Sequence, residues 1–384
     1  MDIYYEMLLL ELIEYIFTLC SSKDRSIICQ VSKEWNILAI KVSTQMSSVK
    51  SYWTGGDNLY NKKYLYESGD YHLIVRIKYA HTDLYTSYQS GNIDVVNLMI
   101  KQGQTNWNRG LYGACEGGHH EIVTLMISLG ADDWNGGLYG ACEGGHIELV
   151  KLMISIGADD YNEGHRIVCA CGYPELIDLM SSIVADQNFG LYGACEAGNQ
   201  EIVRKMVSLG AADYNGGLYE ACLNGQLEIA KLMISYGAND WNGGLSAACI
   251  YGCIESTKLM IFHGANDWNV GLSGACLNDR FELAQLMISL GANNYDNGLL
   301  NACWMGYLEI AKLMISHGAN DWNRGLSIAC SHGHTDLAIL MISHGANDYN
   351  KGLSNACQNE RADLVTFMIS YGANNCTNTK HNGH

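Results

Sequence analysis

Fifteen cysteines and thirteen histidines carry most of the potential chemistry in this chain, and their spacing decides what that chemistry can be. Ten of the cysteines fall on one beat: Cys115, Cys142, Cys169, Cys195, Cys222, Cys249, Cys276, Cys303, Cys330 and Cys357. Every interval is 27 residues except the 26 between Cys169 and Cys195. A nucleophile–base pair is a unique constellation, whereas here each cysteine with a nearby histidine belongs to a repeated phrase, so no catalytic residues are expected. Cys169/Cys171 and Cys249/Cys253 lack the doublet spacing of a zinc site, so no metal site is expected. Equivalent positions of stacked helices lie about 10 Å apart, and a disulfide needs alpha carbons within roughly 7 Å. The beat cysteines are therefore expected to be reduced, buried and used as small hydrophobes. No phosphate-cradling glycine loop follows a strand, because no strand is evident, and no cofactor is expected.

Such a beat requires a repeated element. From 83 to 378 the phrase Gly137-Leu138-Tyr139-Gly140-Ala141-Cys142-Glu143-Gly144-Gly145-His146-Ile147-Glu148-Leu149-Val150-Lys151-Leu152-Met153-Ile154 recurs with few changes. In the unit from Gly110 to Gly136, Leu111, Ala114 and Cys115 stand at helical spacing and predict the inner face of a short helix. Gly117-Gly118 ends it. Ile122, Leu125 and Met126 mark one face of a second helix, with Glu121 in its first turn, where a carboxylate favours the positive end of the helix dipole. Gly130 supplies the left-handed residue that closes it, and Asp132-Asp133-Trp134-Asn135-Gly136 reads as the turn into the next unit. Periods of this size signal stacked units that bury their apolar faces only against neighbours. The fold class is all-α, a helical-hairpin solenoid, and such a solenoid is usually a binding surface.

The unit resembles an ankyrin repeat. The family phrase appears at Leu138, Ala141-Cys142, Gly145-His146 and Glu148, and Gly157-Ala158-Asp159 follows the second helix as the family has it. The resemblance covers eleven units. It implies an ankyrin-type solenoid with shortened 27-residue repeats, six fewer than the family's usual 33. The opening threonine-proline pair is missing, so the projecting β-hairpin finger is expected to shrink to a tight turn. Residues 46–82 read as a linker and degenerate N-terminal capping unit, and 379–384 as a polar tail.

Residues 1–45 follow a different rule. Leu9, Leu12, Ile13, Ile16 and Phe17 form an amphipathic stripe, Ser21 and Asp24 resemble a capping box opening a second helix, and Trp35 with Leu38 belongs to a third. This small three-helix module resembles an F-box at Leu9-Leu10, Glu11-Leu12, Ile16, Leu19, Asp24, Val31 and Trp35, with Leu10 where the family has proline. The resemblance implies docking of residues 7–40 on the adaptor subunit of cullin–RING ubiquitin ligases through Leu9, Leu12, Ile13, Ile16, Leu19, Val31 and Trp35. The alternative is an N-terminal helical cap for the solenoid.

Residues 1–82 are electrically neutral, so the whole net charge of −17 sits in the repeats. That repels phosphate backbones and argues against nucleic acid; a basic protein partner is the sharper reading. No stretch of 18 uninterrupted apolar residues is present, so no membrane span is expected. The start, Met1-Asp2-Ile3-Tyr4-Tyr5-Glu6, does not read as a signal peptide, and an intracellular protein is expected.

The two residues after each beat cysteine are the natural lining of a target groove, and the first of them runs Glu116, Glu143, Ala170, Glu196, Leu223, Ile250, Leu277, Trp304, Ser331 and Gln358. Glu116, Glu143 and Glu196 make one end acidic. Leu223, Ile250, Leu277 and Trp304 make an apolar run that is either an interaction patch or part of the core. Asp279-Arg280 and Glu360-Arg361, which replace Gly-His, read as specificity points. An aromatic ladder (Trp107, Trp134, Tyr161, Tyr214, Trp241, Trp268, Tyr295, Trp322, Tyr349) is placed in the turns, where stacking would replace the lost finger, with a binding ladder as the alternative. Gln187 interrupts it in the shortened unit that also holds Pro174, the expected site of a bend.

An F-box-like head on near-identical repeats resembles the ankyrin proteins of giant amoeba-infecting DNA viruses, which implies host cytoplasm. The leading function is a substrate-recruiting subunit of a ubiquitin ligase, acting by effective concentration. The runner-up is a ligase-independent scaffold or decoy that sequesters a host protein.

Overall fold

The computed structural model of the chain describes residues 84–101, 103 and 105–374. The F-box-like segment, the capping segment, Asp83, residues 375–378 and the polar tail lie outside the described residues. All regular structure among the described residues is α-helical, in twenty-two helices of six to eleven residues that form eleven successive hairpins.

The chain divides into two units, one ending at Asp160 and the other beginning at Tyr161. The first holds α1 (Leu84–Gln89), α2 (Ile93–Lys101), α3 (Trp107–Gly117), α4 (His120–Ser128), α5 (Trp134–Gly144) and α6 (Ile147–Ile156). The second opens with α7 (Tyr161–Cys171), α8 (Pro174–Ile183), α9 (Asn188–Ala197), α10 (Gln200–Ser208), α11 (Tyr214–Leu223) and α12 (Leu227–Tyr236). It continues through α13 (Trp241–Tyr251), α14 (Ile254–His263), α15 (Trp268–Leu277), α16 (Phe281–Leu290) and α17 (Tyr295–Met305). It closes with α18 (Leu308–Ser316), α19 (Trp322–His332), α20 (Thr335–Ser343), α21 (Tyr349–Gln358) and α22 (Ala362–Ser370). Odd-numbered helices open each hairpin and even-numbered helices close it.

The local causes of a hairpin are visible in α5 and α6. Asp133 accepts a hydrogen bond from the Gly136 amide at 2.9 Å, so α5 begins at Trp134. The expected turn Asp132 to Gly136 is thus corrected: an aspartate cap outweighs the low helix propensity of the two glycines behind it, and residues 129–133 connect the two hairpins. Gly145 ends α5 in the left-handed conformation, and Glu148 stands in the first turn of α6. Leu138, Ala141 and Cys142 from α5 meet Leu149, Val150 and Met153 from α6, all fully buried.

Glycine sets two spacings. One row of glycines in the opening helices faces the methionine of the same hairpin. A Cβ at Gly137, Gly190, Gly217, Gly244, Gly271, Gly298, Gly325 or Gly352 would lie 2.5–2.9 Å from that sulfur. A second row faces the preceding opening helix within each unit. A Cβ at Gly113, Gly140 or Gly193 would lie 2.7, 2.4 or 2.0 Å from the carbonyl oxygen of Tyr85, Tyr112 or Arg166. Later hairpins carry Glu220, Ala247, Asn301, Ile328 and Asn355 at this position, which excludes so close an approach. Asn355 instead spans the gap, its amide donating to the Ser327 carbonyl at 2.9 Å and the Ser327 hydroxyl at 2.6 Å.

Successive hairpins are tied by two polar devices. Asn135 Oδ1 accepts the main-chain amides of Asp159 (2.9 Å) and Asp160 (3.0 Å), and its Nδ2 donates to Asp159 Oδ1. The same bonds to residues 24 and 25 positions ahead recur from Asn108, Asn188, Asn215, Asn242, Asn269 and Asn323, with Asp296 as a variant. In the second device, Nε2 of His119, His146 and His334 donates to the carbonyls of Gln89, Glu116 and Trp304, 30 residues back, at 2.9, 3.1 and 3.0 Å.

The aromatic ladder is corrected on both counts. Its residues are the first residues of opening helices, not turn residues, because the cap precedes them. They do not stack on one another along the chain; five of them pack on the end of their own hairpin. Trp241 stacks on His263 (centroids 5.0 Å), and Tyr214, Tyr295, Trp322 and Tyr349 lie tilted against Tyr236, His317, His344 and Tyr371. Pro174 occupies the first turn of α8, where its missing N–H is no loss and it supplies no kink.

Candidate protein-interaction face

Nine beat cysteines are fully buried free thiols. Burial pushes the thiols of Cys115, Cys169, Cys195, Cys222, Cys276, Cys303 and Cys330 up to about 12, and Cys249 to about 11. Thiolate chemistry at neutral pH is thereby suppressed. Cys357 corrects the expectation of an unbroken reduced row: it is disulfide-bonded and only half-buried. No group of three or more His, Cys, Asp or Glu among the described residues is arranged to hold a metal ion.

The residues after the beat cysteines come to the C-terminal ends of the opening helices. In the first unit, the Glu116 carboxylate accepts the Tyr85 hydroxyl, and Glu143 accepts Tyr112 at 2.7 Å. In the second unit, Glu196 accepts Arg166 at 2.8 Å, and Arg166 also reaches Glu163 at 3.2 Å. These acids are therefore engaged by the preceding opening helix rather than standing as bare carboxylates. Glu220 adjoins the Arg166 group; partial burial raises its carboxyl, Glu196 and Glu163 add to that, and Arg166 opposes it.

Beyond Glu220 the face turns apolar. Leu223, Ile250 and Leu277 are half-buried, so they are neither open patch nor sealed core, and Ile250 lies against Gly274 of the next opening helix. Trp304 is 57% exposed. Its ring lies 5.6 Å from His332, which stacks on His334 at 6.3 Å. The row one residue further along adds Tyr251, 53% exposed, and Met305, 42% exposed. Both stand at the second position after their cysteines, which the sequence reading also places in the groove lining. Phe262 gave a different signal: it is 83% exposed where nine other closing helices have a serine bonded to a carbonyl in its own last turn, as Ser235 is at 2.7 Å.

The two expected specificity points carry bonds or contacts of the repeat itself. Arg280 Nε donates to the Ile250 carbonyl at 3.4 Å, taking over the histidine's bond, and Arg361 lies against Gly333 as the histidines lie against their glycines. Asp279 and Glu360 adopt φ of 56° where other hairpins place glycine. The adaptor-docking candidates Leu9, Leu12, Ile13, Ile16, Leu19, Val31 and Trp35 lie outside the described residues.

The closing helices present a contrasting surface of exposed ion pairs one turn apart: Glu148–Lys151, Glu228–Lys231, Glu255–Lys258 and Glu309–Lys312. Such pairs solvate a face and contribute little stability. No helix among the described residues is long and apolar enough to cross a membrane. No protein-family model matches this chain, and no curated protein matches it significantly.

Proposed function

We propose that the chain is a protein-binding repeat array that recruits a target to a ubiquitin ligase. The observation that carries the binding half is the apolar strip of the second unit. Tyr251, Trp304 and Met305 are exposed there beside half-buried Leu223, Ile250 and Leu277, and an exposed tryptophan flanked by other large apolar side chains is a typical anchor. The hairpins fit shortened ankyrin repeats, with four- or five-residue connections in place of fingers and Gly-His as an inter-repeat latch. The excess of acid in the repeats favours a basic protein and disfavours nucleic acid. Nothing in this reading asks the chain for catalysis: the F-box-like pattern at Leu9, Leu12, Ile13, Ile16, Leu19, Val31 and Trp35 would hold the adaptor, and the strip would hold the target. A giant-virus origin, which the resemblance implies, would put this in host cytoplasm.

Affinity purification from host cells tests both halves. Trp304→Ala with Tyr251→Ala should lose the target and keep the adaptor, and Leu12→Asp with Trp35→Ala should do the reverse. Target capture by a chain that never retains the adaptor would leave a scaffold or decoy. Unchanged capture by the Trp304/Tyr251 variant would refute the strip as the binding face.

A further inference from the structure

The hairpin from Tyr161 to Gln187 is the one shortened unit, and it departs from its neighbours inside its core. Its leucine position holds His165: the equivalents Leu111, Leu138, Leu191, Leu218, Leu245, Leu272, Leu299, Leu326 and Leu353 are all buried, and His165 is fully buried too. Nε2 lies 3.1 Å from Ser181 Oγ on α8, while Nδ1 is buried without a partner. A second orphan lies in the same hairpin. Gln187 donates its amide to the Ser181 carbonyl at 3.1 Å, but its Oε1 is buried and unpaired. Ser181 thus holds two side chains, each with one polar atom unsatisfied. A buried polar atom without a hydrogen bond is costly, and a leucine would cost nothing there.

We propose that this hairpin is an acid-sensitive opening element, in which protonation of His165 releases α7 from α8 at mildly acidic pH.

An imidazolium at this site would carry two donors and a charge into a space furnished with one hydroxyl. The charged groups on the surrounding elements do not provide for it. On α7, Glu163 and Arg166 pair with each other, and Arg166 with Glu196 of α9. Asp178 of α8 pairs with Lys205 of α10 at 2.6 Å. Glu175 on α8 and Glu201 and Arg204 on α10 are exposed. Gly190 of α9 and Met206 of α10 close over the ring. Asp186, in the connection to α9, is the charge that acts on the ring, and it favours the protonated form. Burial outweighs that pull and lowers the ring from 6.5 to about 4. The folded hairpin therefore binds the proton more weakly than the open one. Its stability is complete above pH 6.5 and is lost as pH falls from there toward 4. Opening in a repeat array is local, because each hairpin is held by its neighbours alone.

Hydrogen exchange of the full chain, corrected for the intrinsic pH dependence of amide exchange, tests this hairpin by hairpin. Between pH 7 and pH 5 the opening equilibrium of residues 161–187 should rise ~20-fold, the change that linkage gives for a group moved from 6.5 to about 4. Residues 214–240, with Leu218 in the same place, should change less than about twofold. His165→Leu should flatten the response. Asp186→Asn, which leaves the core untouched, should keep it or enlarge it slightly. A response that survives in His165→Leu, disappears in Asp186→Asn, or is shared equally by residues 214–240 overturns the assignment.

Discussion

The asparagine ties between hairpins yield a graded test at Asn242. Its Oδ1 accepts the amides of Asn266 and Asp267 at 2.9 and 3.0 Å, and its Nδ2 donates to Asn266 Oδ1 at 3.3 Å. Residues 266 and 267 are exposed, so in Asn242→Ala both amides can turn to water rather than being stranded. Each main-chain bond is then worth about 1 kcal/mol net, and the longer amide bond about half that. Alanine's better helix propensity returns about 0.5 kcal/mol, leaving a loss of about 2 kcal/mol. Asn242→Asp keeps both acceptor bonds, as Asp296 does naturally with the amides of Asn320 and Asp321 at 2.7 and 2.9 Å. It also places a carboxylate in the first turn of α13, where the helix dipole favours it. Its loss of one donor should cost under about 0.5 kcal/mol. Urea unfolding followed by circular dichroism gives the two differences, and hydrogen exchange at residues 266 and 267 localises them. Equal losses in the two variants would refute the claim that the carbonyl oxygen, not the amide nitrogen, ties the hairpins together.

Three further perturbations follow from the same geometry. Gly193→Ala forces a Cβ to within 2.0 Å of the Arg166 carbonyl oxygen and should cost about 3 kcal/mol by overpacking against backbone, read as a drop in thermal midpoint; a neutral result would show that α7 and α9 separate freely. Glu360→Gly relieves a left-handed glutamate at φ 56° and should stabilise by about 0.5–1 kcal/mol after the added chain entropy of glycine, measured by urea unfolding. Alkylation of the native chain followed by peptide mapping should label exposed Cys171 first and half-buried Cys253 next, leaving Cys115, Cys222 and Cys303 unmodified until the chain unfolds; early labelling of the latter three would contradict the sealed core.

Much of the hairpin was legible because its core obeys a local period. Leu111, Ala114 and Cys115 lie within one turn of each other, and the helix ends at Gly118 and Gly130 need only an αL conformation that glycine adopts at little cost. What escaped the sequence is what acts across a repeat. Trp134-Asn135-Gly136-Gly137 has the composition of a turn, and only the bond from the Gly136 amide to Asp133 turns it into the start of a helix. Asn135 looked like one more turn residue, since its partners lie 24 and 25 positions ahead. Glu116 and Glu143 resembled a row of free acids because the tyrosines that donate to them stand 31 residues earlier. Arg280 reads in the sequence as a specificity point because the carbonyl it meets, where a histidine would otherwise bond, stands 30 residues earlier.

These cross-repeat bonds share a property that bears on function. The asparagine oxygens take main-chain amides, and the histidines and Arg280 give to main-chain carbonyls. Apart from the amide bond from the asparagine Nδ2 to the side chain 24 residues ahead, these bonds meet only the backbone of the neighbouring hairpin, so the stacking tolerates most changes in the side chains around it. The glycines that face the methionines cannot vary, because a Cβ at Gly244 would lie 2.5 Å from the Met260 sulfur. The positions just after each beat cysteine are under neither constraint: Trp304 gives its carbonyl to His334 and leaves its ring 57% exposed. Sequence difference between otherwise near-identical hairpins is therefore channelled to one helix end, where Glu196, Leu223, Ile250, Leu277 and Trp304 follow one another through the second unit. A scaffold that bonds through its backbone can change what it presents there without changing how it stands, which is the property a recognition surface needs.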